Sequence, residues 1–294
     1  MPAAAFIINR TLVHDPGPLR RHCCEAAEAA GWTPLLRETT LDDRGFGLAR
    51  EAISAGARLV FAVGGDGTVR ACAQALAGTG VPLAIIASGT ANLAARAIRL
   101  PSRRTAALAA GFNGNDRALD LAVADEMTYV AMAGMGLDAA VVAATPAVRK
   151  RRLGWPAYAI AGVPRLAGRS HQFTIRLDGG EPMALRARSV VAGNAGLLPG
   201  GFVLLPDARL DDGMLDVGVL APEGLIDWSR VALRVMAASR HGGHELRRFR
   251  AREVEIHADT ELPREVDGEI ITPGRSLRIT VLPGALIVRV PRAA

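Results

Sequence analysis

The sequence predicts an α/β domain built on a parallel sheet, followed by a mostly antiparallel β domain with two helical insertions. Three observations predict it. Over the first 120 of 294 residues, strand-like and helix-like segments alternate, the pattern of βαβ units. Beyond residue 120, short alternating runs dominate, punctuated by Gly, Pro and Asp turns. Two longer stretches, residues 137–167 and 223–240, read as helices inserted into that second part. The domains expected are 1–120 and 121–294, joined near Asp116 to Asp120.

The elements follow in order. Ala4 to Asn9 is an apolar run that ends on a polar residue, a short strand. Pro18 to Gly31 places Leu19, Cys23, Ala26, Ala27 and Ala30 at helical spacing, with Gly31 as the stop. Thr33 to Glu38 is a second strand and Phe46 to Gly56 a second helix. Arg58 to Val63 is a buried-type strand, followed by a helix over Thr68 to Ala77. Pro82 to Ala87 is a strand and Thr90 to Arg99 a helix. The second part offers strands at Thr128 to Ala133, Phe173 to Leu177, Ala187 to Ala192, Met214 to Leu220, Val254 to Ala258, Leu277 to Leu282 and Ala285 to Val290.

Composition excludes several classes. Half the chain is apolar and 22% charged, so it is neither disordered nor fibrous. No apolar run reaches the ~20 residues of a membrane span. Met1 to Asn9 lacks the basic stretch of a secretory signal, and Cys23, Cys24 and Cys72 give neither a disulfide framework nor zinc spacing. A cytoplasmic location is expected. The formal charge is +6, carried almost wholly by Arg, with Lys150 the only lysine. That balance favours acidic partners such as phosphates or anionic lipid.

The strongest motif is Val63-Gly64-Gly65-Asp66-Gly67-Thr68, at the end of a strand and the start of a helix. Ligands in open α/β sheets bind at that end. Glycines permit close approach, and a helix N-terminus favours phosphate. Asp66 is out of place among phosphate-cradling amides unless it handles a metal ion or a proton; otherwise it caps the helix. Ser88-Gly89-Thr90-Ala91-Asn92 repeats the arrangement on the next βα unit, so two glycine turns point at one crevice. Gly134-Met135-Gly136-Leu137-Asp138-Ala139 mimics a dinucleotide fingerprint but lacks the acidic residue ~20 positions on. Instead, no carboxylate occurs between Asp138 and Asp178, while Arg149, Lys150, Arg151, Arg152, Arg165, Arg169 and Arg176 do, with Trp155 and Tyr158 interleaved. Such a segment suits an anionic bilayer surface or forms a solvated helix face. No nucleic-acid signature accompanies the charge.

Pro206 to Asp216 packs four carboxylates into eleven residues, either a turn or a hard-cation site. Glu265-Val266-Asp267-Gly268-Glu269 reads as a hairpin with Asp-Gly at its tip, or as a turn presenting a general base. The six histidines form no metal or catalytic pattern.

These motifs in this order resemble the diacylglycerol kinase catalytic-domain family of bacterial lipid kinases. The likeness rests on Asn9, the GGDGT of Gly64 to Thr68, the GTAN of Gly89 to Asn92, Gly134 to Ala139, Arg151 to Gly162, Gly193-Asn194, Pro206 to Val217, Val266 to Glu269 and the closing VLPGALIVRVP. The GGDGT alone is shared with NAD kinases and phosphofructokinases. The family pattern differs here at Arg10, at Arg70-Ala71 and at Leu93.

The resemblance implies an NAD kinase/phosphofructokinase-like N-terminal domain, a β-sandwich-like C-terminal domain and ATP in the cleft between them. It implies phosphate contacts from Gly64, Gly65, Asp66, Gly67, Thr68, Val69 and Arg70, with Asn9, Gly89, Thr90, Asn92 and one of Thr39 or Thr40, here taken as Thr40. It implies Mg²⁺ on the Asp212 carboxylate and the carbonyls of Arg209 and Met214. Glu269 is the implied proton acceptor, with Asp66 assisting catalysis. The expected function is phosphoryl transfer from ATP to a lipid hydroxyl at an anionic membrane surface. The alternatives are an NAD kinase-like enzyme on a soluble substrate and an inactive lipid- or nucleotide-binding regulator. No nucleic-acid partner is expected; monomer and homodimer stay open.

Overall fold

Six residues, Ala3–Ile8, form β1, and five of them are fully buried. An unbroken apolar run is what a strand covered on both faces requires. The computed structural model describes residues 1–12, 16–136, 169–198 and 201–292. They fall into two units, one of residues 1–119 and 284–294, the other of residues 120–283.

In the first unit β1 is followed by α1 (Pro16–Ala29), β2 (Thr33–Glu38), α2 (Phe46–Ser54), β3 (Ala57–Gly64), α3 (Asp66–Leu76), β4 (Leu83–Ala87), α4 (Leu93–Ala97) and α5 (Arg104–Asn113). The chain leaves this unit within β5 (Asn115–Ala124) and returns within β14 (Glu269–Val290). The sheet order is β14-β4-β3-β1-β2, all parallel. Phe6 stacks on Phe61 at 4.6 Å between ring centres and Phe112 lies 4.9 Å from Phe61, so α5 is pinned to the sheet by aromatic packing. Each such ring contributes roughly 1.5–3 kcal/mol on burial.

The second unit contains β6 (Met127–Tyr129), β7 (Met132–Gly136), β8 (His171–Leu177), β9 (Met183–Ala187), β10 (Ser189–Gly193), β11 (Leu215–Leu220), α6 (Leu225–Met236), β12 (Leu246–Ala251) and β13 (Glu253–Val266). Its order is β12-β11-β10-β7-β13-β14, with β8 on β13 and β9 on β8. The pairings are antiparallel. Tyr129, Phe173, Ile175, Val190, Val217 and Val254 are at the centre of its core.

Several elements differ from the sequence reading. Helix α5 was not expected: Ala-rich and apolar on most sides, it shows little periodicity, and its identity comes from propensity and from packing on β3 and β4. The helix expected over Thr90 to Arg99 shrinks to Leu93–Ala97, because Asn92 adopts a left-handed backbone and closes the preceding turn. The strand expected over Thr128 to Ala133 breaks into β6 and β7, since the amides of Val130 and Ala131 bond a carboxylate instead of a strand ladder. Strand β12 was not expected; its Arg247, Arg248 and Arg250 mask a half-buried edge. The helix expected over residues 137–167 lies outside the described residues.

Candidate functional site

Strand order places β2 on one side of β1 and β3 on the other, so the carboxyl ends of β1 and β3 flank the point where the chain's winding reverses. Open α/β sheets bind ligands at that point. Asn9 follows β1 there. Its backbone amide donates to the Val63 carbonyl at 2.8 Å, and its Nδ2 donates to the Thr68 hydroxyl at 2.8 Å. Its Oδ1 accepts from the backbone amide and hydroxyl of Thr11. Asn9 thus ties the loop after β1 to the first turn of α3.

The glycines are required one by one. A Cβ on Gly64 would lie 2.6 Å from the Thr68 hydroxyl oxygen and 3.1 Å from the Asn9 Cβ. A Cβ on Gly89 would lie 2.6 Å from the Cα of Gly65. The turns after β3 and β4 therefore touch backbone to backbone, with the Ser88 amide donating to the Gly64 carbonyl at 2.8 Å. Gly67 differs: among the described residues nothing lies within 4 Å of where its Cβ would stand, and its φ is not positive. Neither packing nor backbone conformation demands glycine at 67.

Gly65 caps α3 with an extended backbone and Asp66 is the first helical residue. The Asp66 carboxylate reaches beyond its own helix. It accepts the Leu93 amide at 2.6 Å, bracing the start of α4, the helix of the next βα unit. Asn92 closes its turn on itself: Oδ1 accepts from the Gly89 amide at 2.9 Å and Nδ2 donates to the Gly89 carbonyl at 2.8 Å. Thr68, Val69 and Arg70 are buried in α3, while Thr90 is exposed. After β2, Thr39 is buried and Thr40 exposed, the Thr40 hydroxyl accepting the Asp43 amide at 3.0 Å. Asp43, which the sequence reading passed over, accepts amides from Gly45, Gly47 and Leu48 and fixes the start of α2. Its signal was an Asp two residues ahead of a Gly at a helix start.

The second unit holds the other expected residues. Asp267 and Gly268 have φ of 48° and 75°, the two left-handed residues of a tight hairpin turn, and Glu269 is the first residue of β14 beyond it. Two carboxylates hold this turn. Glu265 accepts the Gly268 amide at 2.6 Å, and Asp267 accepts the amides of Val130, Ala131 and Met132 at 2.9, 2.9 and 3.1 Å. Glu269 is half-buried on this tethered turn. The sequence marked Asp267 as a turn residue and missed its grip on three amides of the β6–β7 loop. Burial, then Asp267 and Glu265, push the Tyr129 phenol well above its ordinary pKa; its hydroxyl donates to the Ala192 carbonyl at 3.1 Å.

The acidic loop of Arg209, Asp212 and Met214 is anchored by buried Asp120, whose amide donates to the Leu210 carbonyl and whose Oδ2 accepts the Gly213 amide, both at 2.6 Å. Arg250 lies 2.5 Å from one Asp212 oxygen, and the Met214 amide donates to the other at 3.2 Å. Asp216 is 4% exposed, and its Oδ2, 3.7 Å from Arg250, has no hydrogen bond. Burial pushes its carboxyl up to about 6, Arg250 pulls it down, and Asp212 and Asp207 push it up. Among the described residues no three carboxylate, His or Cys side chains converge as a metal cage. The Asp212 carboxylate and the orphaned buried Asp216 oxygen nearby are oxygen donors of the kind a hard cation takes.

Gly134 to Gly136 belong to β7; Leu137 to Ala139 and the basic residues from Arg149 to Arg165 lie outside the described residues. Of that segment's cations, Arg169 is exposed and Arg176 pairs with Glu255 at 3.6 Å. No helix among the described residues is long and apolar enough to cross a membrane.

Residues 5–124 match the model of the diacylglycerol kinase catalytic domain, and residues 131–290 that of the YegS C-terminal NAD kinase beta sandwich-like domain. A Pseudomonas fluorescens protein named "Probable lipid kinase YegS-like" is 37% identical over 281 residues, covering 92% of this chain and 90% of that one. The fold is that of a diacylglycerol kinase from Bacillus anthracis, with TM-score 0.73, 20% identity and 98% and 96% of the two chains covered. An NAD kinase from Archaeoglobus fulgidus in complex with ATP aligns with TM-score 0.54, 12% identity and coverage of 97% and 93%.

Proposed function

The chain belongs to the diacylglycerol kinase catalytic-domain family, and we propose that it transfers the γ-phosphate of ATP to the hydroxyl of a lipid. The observation that carries the reading is the glycine pair at the ends of β3 and β4. Gly64, Gly65 and Gly89 are consumed in bringing two turns together, whereas nothing among the described residues requires Gly67. A glycine without a structural reason, in the first turn of an eleven-residue helix, is what a loop needs to admit phosphate oxygens against backbone amides.

In this reading the amides of Gly65, Asp66 and Gly67 receive the phosphates, the Thr68 amide being held by the Gly65 carbonyl. Thr40 and Thr90, both exposed, contribute hydroxyls, and Asn9, Val69 and Asn92 hold the loops in shape. Arg70 adds positive charge in the same first turns of α3. Glu269 accepts the proton of the attacking hydroxyl as its oxygen bonds to the γ-phosphorus; the bond to the β-phosphate oxygen breaks and ADP leaves. Asp66 sets the distance between the two turns and supplies a carboxylate beside the phosphates. Mg²⁺, held by Asp212 with the carbonyls of Arg209 and Met214, would supply charge neutralisation when bound. The partner is a lipid at a membrane surface.

The test is a side-by-side assay with γ-labelled ATP, offering NAD and mixed lipid micelles. Label in the organic phase is the expected outcome. Label confined to NAD overturns the lipid assignment, and ATP binding without any labelled product overturns the enzyme.

A further inference from the structure

Helix α6 is built the wrong way round for a water-facing helix. Its inner face is well held: Val231 is buried, and Trp228 and Val235 pack on a cluster of Met132, Val191, Leu204, Leu205 and Leu246. Asp227 accepts the Glu223 amide at 3.2 Å and pairs with Arg230 and His244, fixing the helix start. The outer face should then be polar. Instead Leu225, Ile226, Leu233 and Met236 are 82%, 71%, 63% and 67% exposed. With Ser229 and Ala232 they form one stripe at helical spacing. These four are nearly half of the large hydrophobic side chains that stand exposed among the described residues.

The surroundings say what such a face meets. From Leu225 to Arg250 the chain carries six arginines against two carboxylates, Asp227 and Glu245, and Asp207 and Asp212 from outside that span pair with Arg240 and Arg250. Arg230, Arg240 and Arg247 are exposed, Arg230 pairing with Asp227 at 3.2 Å and Arg240 with Asp207 at 2.8 Å, both partly in solvent. An apolar stripe flanked by cations is the composition of a helix lying in the plane of an anionic bilayer, its aliphatic side chains among the acyl chains and its arginines among the headgroups. A face meant for a second copy of this chain would bring those arginines against one another.

We propose that the outer face of α6 docks on an anionic membrane surface, through Leu225, Ile226, Leu233 and Met236, with Arg230 on the same helix and the exposed Arg240 and Arg247 that follow it in the chain. The proposal rests on the lipid-kinase reading, because an enzyme whose acceptor is held in a bilayer has to reach it there.

The experiment is sedimentation of the full chain, without ATP, with phosphatidylcholine vesicles and with phosphatidylcholine–phosphatidylglycerol vesicles. The wild type is expected to pellet with the anionic vesicles and only weakly with the neutral ones. Ile226→Glu/Leu233→Glu is expected to lower the partition coefficient by about tenfold or more, and Arg240→Ser/Arg247→Ser to lower it and flatten its salt dependence. Both positions of the first variant are exposed, so its melting temperature should match the wild type. Unchanged partitioning of a folded Ile226→Glu/Leu233→Glu protein overturns the proposal. So does a wild-type dimer that this variant splits without loss of vesicle binding. Vesicle binding without any lipid product contradicts the kinase reading alone, while lipid phosphorylation with unchanged partitioning of the variant contradicts this proposal alone.

Discussion

Gly65 and Gly89 meet backbone to backbone: a Cβ on Gly89 would stand 2.6 Å from the Gly65 Cα, and one on Gly65 would stand 3.2 Å from the Gly89 Cα. Gly89→Ala has to push the two turns apart, since the neighbour is main chain and cannot rotate away. It should cost about 1–3 kcal/mol of stability and abolish ATP binding. Gly67→Ala meets nothing, so its melting temperature should stay near wild type or rise slightly, while ATP affinity falls about tenfold or more. Thermal melts paired with ATP calorimetry separate the two. Equal ATP affinity of Gly67→Ala and wild type removes this loop as the phosphate cradle.

Asp66 has two separable duties. Asn at 66 can still accept the Leu93 amide through its carbonyl oxygen, whereas Ala cannot. Asp66→Asn should therefore melt close to wild type and lose turnover by about a hundredfold. Asp66→Ala should lose the same turnover and a further ~1–2 kcal/mol of stability, from the orphaned amide. An Asp66→Asn enzyme with wild-type turnover would leave the carboxylate as a strut for α4 and nothing more.

Asp267 should be the costliest carboxylate to remove from the second unit. Three backbone amides donate to it, and it stands in a left-handed turn that a β-carbon without a polar head tolerates poorly. Asp267→Ala should destabilise by about 3 kcal/mol or more and lower turnover, because the turn carrying Glu269 loses its tether. Asp267→Asn keeps an acceptor and a left-handed preference and should recover much of the stability. Chemical denaturation and steady-state rates on both variants check this.

The thiols provide a pH-dependent readout of the first unit. Burial pushes Cys23 up to about 12, raises Cys72 further still and raises Cys24 as well. The thiolate is the reactive form, so a raised pKa leaves less of it at any given pH, and the loss is recovered only as pH climbs toward the folded value. Of the three cysteines only half-buried Cys24 should titrate with a disulfide reagent at pH 8 in the native protein, and all three in denaturant. Rapid labelling of Cys72 in the native state would contradict the close packing of α3 against the sheet.

Most of the first unit was legible because β1, β3 and β4 are largely apolar runs that stop at Asn9, Gly64 and Ser88, where a polar or glycine residue ends the burial. Helix α5 was not, because a segment of Ala, Leu, Gly and Phe has little polar contrast to reveal its period. The turn residues were visible as glycines, but the reason for each was not: Gly65 and Gly89 answer to each other across 24 residues, and Gly67 to nothing among the described residues. The carboxylates were the least legible. Asp66, Asp120 and Asp267 grip amides 27, 93 and up to 137 positions away, and a sequence read locally sees only a loop, a junction and a hairpin tip.

The central claim is that this chain phosphorylates a lipid alcohol. The protein incubated with ATP, Mg²⁺ and a total lipid extract, followed by mass analysis of the organic phase, tests it most directly. The account predicts a new lipid heavier by one phosphoryl group, absent when Glu269→Gln replaces the wild type although that variant still binds ATP. An organic phase identical with and without the wild-type protein would contradict it.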